Sequence, residues 1–541
     1  MKKNIFNLCL FGYFLTLISC RQPEPRTDLS KESIIPKPVS VTPTGGVFEL
    51  TDESRIYVDD TAKLGRIGRY LAEKLRPATG FNIQVLPVTG IPPAGNIYLT
   101  TKGADPTIGE EGYTMSITGD YLELAAVSPA GIFRGVQTLR QLFPWNIELS
   151  TVQPGPWKIP TGIIKDYPSY PWRGSMLDVA RHFFSVEDVK RYIDLVSYYK
   201  MNVMHLHLSD DQGWRIEIKS WPNLTKYGGS TQVGGGKGGF YTQEQYADIV
   251  KYAQGQYITI VPEIDLPGHI NSALASYGEL NGGTIVPEEG RVVRSSPPDI
   301  LGSKSKPTEL YTGIEVGWST LRVEKEETFK FVDDVLREMS AITPGPYLHI
   351  GGDEAAATKK KDYITFINRF KDIVKAHGKI MVGWEEIAQA NINSNVITQY
   401  WKSAEHARTA VEKESKIIMS PATKTYIDMS YDSTTKLGLH WAAYIEVDSA
   451  YSWNPATFVK GVDRENILGV EAPLWSETIS TMDEIEFLAF PRLPGYAEIG
   501  WSPEEGRNWD EYKVRLGSHG PRMKAMNIDF YKSILVPWIG L

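Results

Sequence analysis

From Pro168 onward the chain repeats one unit: a short apolar run, a charged or aromatic residue where the run ends, then a stretch with helical periodicity. The candidate strands end at Arg181, Asp211, Asp265, Glu354, Glu386, Trp401, Asp428 and Glu477. Between them lie helical patterns such as Val186 to Tyr199, Thr242 to Gln254, Glu324 to Ile342, Tyr363 to His377 and Glu405 to Lys413. Strand-helix alternation of this length predicts an α/β fold, a (β/α)8 or TIM barrel over residues 166–541. Its site would gather at the C-terminal ends of the strands. An open doubly wound sheet is the competing architecture, but no Gly-x-Gly-x-x-Gly follows a strand. Gly234-Gly235-Gly236-Lys237-Gly238 lacks the Ser or Thr that a phosphate loop needs after its Lys, so it reads as a βα loop.

Residues 34–165 carry a different pattern, with short strands at Arg55 to Val58, Asn96 to Leu99 and Tyr121 to Leu124 and helices at Leu64 to Leu75 and Gly131 to Leu142. This predicts a small α+β accessory domain, ending near Gln153-Pro154-Gly155-Pro156. Residues 1–20 read as an export signal: Lys2 and Lys3, an apolar run from Ile5 to Ile18, then Leu17-Ile18-Ser19-Cys20, which resembles a bacterial lipobox. A lipid anchor through Cys20 is therefore expected, with residues 21–33 as a tether and the protein at the periplasmic or outer face of a membrane. Cys9 lies inside the signal, so the mature chain has no disulfide, thiolate metal cluster or Cys nucleophile. A net charge of −8 gives no reason to expect nucleic acid as a partner.

Two adjacent carboxylates, Asp353 and Glu354, follow Gly351-Gly352 at a strand end. On an ideal strand neighbours face opposite ways, but the glycines let the backbone bend so that both acids approach one ligand. Trp384, Trp401 and Trp475 fall at other strand ends of the same mouth, as walls for a sugar ring, and Arg181, Asp428 and Glu477 supply groups that fix hydroxyls. Adjacent acids do not readily face each other across a scissile bond, so the nucleophile would come from the substrate. A second reading starts from His205 and His207, which share a strand face and with His269, His349 and Asp353 are raw material for a metal-dependent deacetylase or amidohydrolase. A third is a non-catalytic surface glycan-binding protein.

Four stretches carry a family resemblance: Met176 to Phe183, His205 to Arg215, Pro262 to His269 and His349 to Glu354. Through them the chain resembles the bacterial β-N-acetylhexosaminidases of glycoside hydrolase family 20, especially the actinobacterial ones, and Ile35 to Pro38 with Gly131 to Phe133 resembles the family's small α+β domain. The resemblance implies an exo-acting, retaining, substrate-assisted hydrolase with no required cofactor or metal. Its substrate would be an oligosaccharide or glycoconjugate ending in N-acetylglucosamine, with N-acetylgalactosamine and the oligomeric state left open. Carried over by residue, Glu354 would be the acid/base, Asp353 would accept the acetamido N–H, and Tyr426 would donate to the acetamido oxygen. Trp384, Trp401 and Trp475 would enclose the acetamido group, Arg181 would bind the 3- and 4-hydroxyls, and Asp428 and Glu477 the 4- and 6-hydroxyls. Asp210 and His269 would support the acid/base from behind.

Overall fold

The computed structural model describes residues 27–88, 90, 92–283 and 304–541 of the chain, so the expected export signal, Cys20 and most of the 281–308 loop lie outside the described residues. The first domain is built on seven strands: β1 (Ser40–Leu50), β2 (Ile56–Val58), β3 (Val85–Pro87), β4 (Asn96–Thr100), β5 (Tyr113–Ile117), β6 (Tyr121–Ala125) and β7 (Trp157–Asp166). They form one mixed sheet in the order β1-β7-β5-β6-β4-β2-β3, antiparallel from β1 to β6 and parallel from β6 to β3. Two helices complete the domain. In α1 (Thr61–Thr79) Asp60 caps the N-terminus, Gly80 ends the helix at φ 69°, and Leu64, Ile67, Leu71 and Leu75 bury one face. In α2 (Pro129–Leu142), capped by Ser128, every residue from Gly131 to Leu142 is buried, because the sheet covers one side and the barrel the other.

The described end of the expected tether is docked rather than free. Asp28 caps a short turn at Leu29–Lys31, and Leu29 and Ile34 are buried in the core of the first domain. Burying Leu29, within the expected tether, and Ile34, just past it, gains more than a solvated linker would.

The barrel follows the alternation in the sequence. Its strands are β8 (Trp172–Asp178), β9 (Val203–His207), β10 (Thr259–Glu263), β11 (Tyr347–His349), β12 (Ile380–Trp384), β13 (Val396–Tyr400), β14 (Lys416–Met419) and β15 (Ile467–Leu474), all parallel, with β15 closing on β8. The helices between them include α3 (Val186–Tyr198), α4 (Gln243–Gly255), α5 (Asn271–Ser276), α6 (Glu326–Ile342), α7 (Lys360–Ala376) and α8 (Ala404–Glu412). Reciprocal capping boxes, Ser185 with Asp188 and Thr242 with Gln245, fix the starts of α3 and α4. One expected strand is misplaced: β14 ends at Met419, and Asp428 lies beyond it in the following loop.

Buried charge ties the two domains together. Glu111 of the first domain takes Arg134 Nε at 2.9 Å, Arg173 Nη2 of β8 at 2.5 Å and Asn202 Nδ2 at 2.8 Å. Burial alone would raise the Glu111 carboxyl, but the two guanidinium groups outweigh it and hold the value down to about 2. At the end of β7, Asp166 accepts from Lys200 Nζ at 2.8 Å, Tyr113 at 2.6 Å and Trp501 Nε1 at 2.8 Å. A buried pair with this many partners would cost about 3–5 kcal/mol to break by removing one side, which fastens the first domain to the N-terminal ends of β8 and β9, away from the mouth.

Candidate active site

Past His349 the backbone keeps its hold on β12, with Ile350 N–H donating to Val382 O at 2.9 Å and Trp384 N–H donating to Gly351 O at 3.0 Å, and it turns away at Gly352, whose N–H donates to the Asp265 side chain, Oδ1, at 2.9 Å. Gly351 and Gly352 have φ of 65° and 96°, and a Cβ on Gly351 would fall 1.8 Å from Asp265 Oδ1, so only glycine fits there. Glu354 itself has φ 43° and His269 has φ 49°. Left-handed backbone costs a non-glycine residue roughly 1–2 kcal/mol, and here that strain sits on two facing members of one site.

The bend brings the acids together, as the spacing predicts. His269 Nε2 stands 3.8 Å from Asp353 Oδ2 and 3.8 Å from Glu354 Oε2. Its other nitrogen, Nδ1, is 3.3 Å from Asp210 Oδ1. Asp210 is the hub of the arrangement, accepting also from Arg181 Nη2 at 2.7 Å and His207 Nε2 at 3.0 Å. Burial would raise the Asp210 carboxyl, yet Arg181 and His269 hold it far below the usual carboxylate range. Burial pulls His269 down, and Asp210, with help from Asp353, reverses this and keeps the imidazole protonated. Its Nε2 side attracts both carboxylates as ion pairs, without a hydrogen bond to either among the described residues.

Asp353 is buried, and burial raises its carboxyl; His269 opposes the rise and Glu354 adds to it. Its Oδ1 has no well-formed hydrogen bond among the described residues. Tyr426 is buried against Trp401, its ring stacked at 12° and 6.3 Å, and burial together with Asp353 holds its hydroxyl well above the ordinary value, so it keeps a proton to donate. Trp401, Trp475 and Trp441 line the pocket with Asp353, Glu354 and Tyr426.

Trp384 is placed differently from the expectation. Strand alternation puts it with Val382 on the inner face of the barrel, and its ring is 0 % exposed, 5.8 Å from that of Trp475, so it backs the wall instead of forming it. Trp441, which sequence reasoning missed, takes the exposed place; it is 42 % accessible and meets Trp401 and Tyr426 edge-on. It lies deep in the loop after β14, away from any strand end, and no spacing signal marks it.

Arg181 also departs from a free bidentate donor. Asp178, the last residue of β8, takes its Nη1 at 3.2 Å and Asp210 takes Nη2 at 2.7 Å, while the guanidinium lies 4.9 Å from the Trp475 ring centre. The remaining N–H groups, including an Nε without a partner among the described residues, are what a ligand could use. Glu477 lines the same pocket, and Asp428 lies near enough to it for the two carboxyls to act on each other. Burial raises Asp428, and the nearby Glu477 raises it further. Burial raises Glu477 against the pull of Arg181. Both Asp428 oxygens and Glu477 Oε2 lack a well-formed hydrogen bond among the described residues, which leaves acceptors ready for hydroxyl donors.

The histidines behind the site are spent on carboxylates. His205 Nδ1 is 2.8 Å from Glu471 Oε1, and His349 Nδ1 and Trp384 Nε1 each lie 2.9 Å from Glu263 Oε1. Burial would lower His205, but Glu263 and Glu471 lift it to about 9. His205, Glu263 and His349 place ligand-type atoms within 4.8 Å of one another, but they are buried behind the pocket, which Asp353, Glu354 and His269 line instead.

Comparison with known proteins agrees with this geometry. Residues 170–504 match the family model "Glycosyl hydrolase family 20, catalytic domain" and residues 31–167 match "Glycosyl hydrolase family 20, domain 2". A beta-N-acetylhexosaminidase of Cellulomonas fimi is 37 % identical across 94 % of this chain and 97 % of its own length. The solved GH20 beta-N-acetylhexosaminidase of Streptomyces coelicolor A3(2) superposes with a TM-score of 0.88 at 47 % identity, over 96 % of this chain and 100 % of that one. A mutant Streptomyces plicatus beta-hexosaminidase in complex with the product GlcNAc also superposes at 0.88, with 46 % identity over 96 % and 99 % of the two chains.

Proposed function

The chain belongs to glycosyl hydrolase family 20, and from that premise we propose an exo-acting β-N-acetylhexosaminidase that releases terminal N-acetylglucosamine by a retaining, substrate-assisted route. The observation that carries the mechanism is the placement of Asp353 and Glu354 at equal distance from one His269 nitrogen, 3.8 Å in each case. Neighbouring acids turned toward one imidazole do not face each other across a scissile bond as an acid and a carboxylate nucleophile do, which leaves the attack to the substrate's own acetamido oxygen.

In the first step the acetamido oxygen bonds to the anomeric carbon as the glycosidic C–O bond breaks, and Glu354 passes its proton to the leaving oxygen. Asp353 accepts the acetamido N–H, which aims the oxygen and offsets the charge growing on the oxazolinium ring. Tyr426 donates to the acetamido oxygen, and Trp401 and Trp475 enclose its methyl side, with Trp384 behind them. In the second step Glu354 takes a proton from water as the water oxygen attacks the same carbon and the ring reopens, restoring the acetamide and the original configuration. Arg181 serves the 3- and 4-hydroxyls, and Asp428 and Glu477 the 4- and 6-hydroxyls. A grip on every ring hydroxyl leaves no room for a further sugar beyond the non-reducing end, which accounts for exo-cleavage.

The test is a panel of chromogenic 2-acetamido-2-deoxy-β-hexosides with and without an N-acetylglucosamine-derived thiazoline. Cleavage of the gluco-configured substrate, blocked by the thiazoline and indifferent to chelators, is the expected result. Loss of activity on chelation with recovery by zinc would favour the metal-hydrolase reading instead.

We further infer that the protein is an exported lipoprotein anchored through Cys20, a reading supported by the Leu17-Ile18-Ser19-Cys20 stretch. Labelled fatty acid should be incorporated into the protein in the producing cell, and Cys20→Ser should abolish that incorporation.

A further inference from the structure

On the solvent side of the pocket a lysine stands beside the acid/base. Lys402 Nζ lies 3.7 Å from Glu354 Oε1 and 3.7 Å from the centre of the Trp401 ring. Its side chain is 48 % exposed against 17 % for Glu354, so the lysine is on the solvent side of the acid. The opposite carboxylate oxygen, Oε2, is the one directed toward buried His269. The position of Lys402 is built rather than accidental. Buried Glu385 clamps the backbone on both sides of it, accepting the N–H of Trp401 at 2.5 Å, of Lys402 at 3.0 Å and of Ser403 at 2.6 Å.

The leaving group of the proposed reaction departs past that face of Glu354, because the acid must touch the glycosidic oxygen and the retained sugar fills the pocket behind it. On the reading above, then, we propose that Lys402 is a specificity residue for the leaving sugar, favouring one that carries a carboxylate beside the linkage, as a 4-linked hexuronate does. In such a sugar the C5 carboxylate is borne by the carbon next to the one holding the scissile oxygen, within the reach of a flexible lysine that stands beside the acid.

Two features of the site make the lysine available. When Glu354 holds the proton it must deliver, Lys402 loses its charged partner at Oε1 and can turn to an anion on the substrate. Among the deeper carboxyls, burial raises Asp428, Glu477 and Glu386, which weakens their repulsion of that anion. A half-exposed ammonium is a modest contributor, so its effect belongs in selectivity between leaving groups more than in total rate.

The experiment compares kcat/KM for two disaccharides, N-acetylglucosamine β1,4-linked to glucuronate and the same sugar β1,4-linked to N-acetylglucosamine, in the wild type, Lys402→Met and Lys402→Arg. The acidic-to-neutral ratio is expected to fall about three- to fivefold in Lys402→Met and to stay within about twofold in Lys402→Arg. In the wild type the ratio should also shrink as salt rises from about 10 mM to about 1 M, which shortens the Debye length from ~30 to ~3 Å, and Lys402→Met should show no such trend. An unchanged ratio, an equal loss on both substrates, or a wild type that cleaves only the neutral disaccharide would overturn the proposal while leaving the hexosaminidase reading intact. Failure of the wild type on both disaccharides and on the chromogenic panel would overturn that reading and the proposal with it.

Discussion

Glu354→Gln is expected to lower kcat/KM by about 10³-fold on alkyl or sugar leaving groups and by much less on an activated aryl group, within the range that positioned general acids contribute. The substitution keeps the size of the side chain and its place on the strained turn at φ 43°, so the loss should be chemical and not a failure to fold. Glutamine cannot supply the proton that a poor leaving oxygen requires. A nitrophenolate leaves without it, so the first step survives on such a substrate. The second step still lacks a base for the attacking water, and kcat on the activated substrate should therefore fall more than kcat/KM as the intermediate accumulates. The measurement is a series of aryl glycosides of graded leaving-group acidity assayed with both enzymes. The variant should show a steep dependence on leaving-group pKa where the wild type is shallow; parallel lines would remove Glu354 from the acid role.

How much of this was legible beforehand depends on whether the deciding interaction was local. The barrel was, because each βα unit repeats the same pattern and short-range features such as the Ser185–Asp188 capping box mark where helices begin. The first domain was read only in part. Strand β5 alternates buried Tyr113, Met115 and Ile117 with half-exposed residues and could have been found, whereas β1 is interrupted by Pro43, Gly45 and Gly46 and its register slips there. The misplaced strand end at Asp428 has a long-range cause. Ile427 and Met429 are buried and look strand-like, but Ile427 N–H is taken by Pro473 O and the carbonyls of both by Arg492, at 2.7 Å each, so a distant guanidinium does the work of a ladder.

Within the site, the residues quoted from short motifs came together: Asp210, His269, Asp353 and Glu354 share one network. The roles of Trp384 and Trp441 were not readable in that way. Trp384 lies at a strand end as expected, and its inward direction follows only once the register of β12 with its neighbours is known. Trp441 reaches the pocket from a long loop whose path is set by tertiary packing, and Glu385 and Glu386, which hold Trp401 by its backbone and its indole N–H, act from a neighbouring strand end.

Asp353→Asn carries the sharpest test of substrate assistance, with an expected loss of about 10²- to 10³-fold in kcat, of the size seen when one preorganised electrostatic partner of a charged intermediate is removed. Asparagine can still accept the acetamido N–H, so the part of the rate that depends on orientation survives in part, but its neutral oxygen no longer offsets the positive oxazolinium ring. Substrates with a 2-hydroxyl in place of the acetamido group cannot form that ring, so the preference for the acetamido sugar should collapse in the variant. A wild type that cleaved both sugars equally well would sink the mechanism. The pH profile supplies an independent readout. Asp353 must be ionised to act, and burial with Glu354 nearby raises its carboxyl despite His269, so the acid limb of the wild-type profile should lie above the ordinary Asp range of about 3.9 and be absent from Asp353→Asn. The same shift has a cost in stability. A group with a raised native pKa binds more protons folded than unfolded across the window between the two values, so its contribution is full below the unfolded value and is lost as pH rises through the folded one. Wherever the enzyme works through an ionised Asp353, the fold carries a buried carboxylate charged against its environment, and Asp353→Asn should unfold at an equal or higher denaturant concentration while turning over far more slowly. A variant both inactive and markedly less stable would mean that Asp353 holds the fold together rather than the reaction; a stable, slow one places its charge at the oxazolinium.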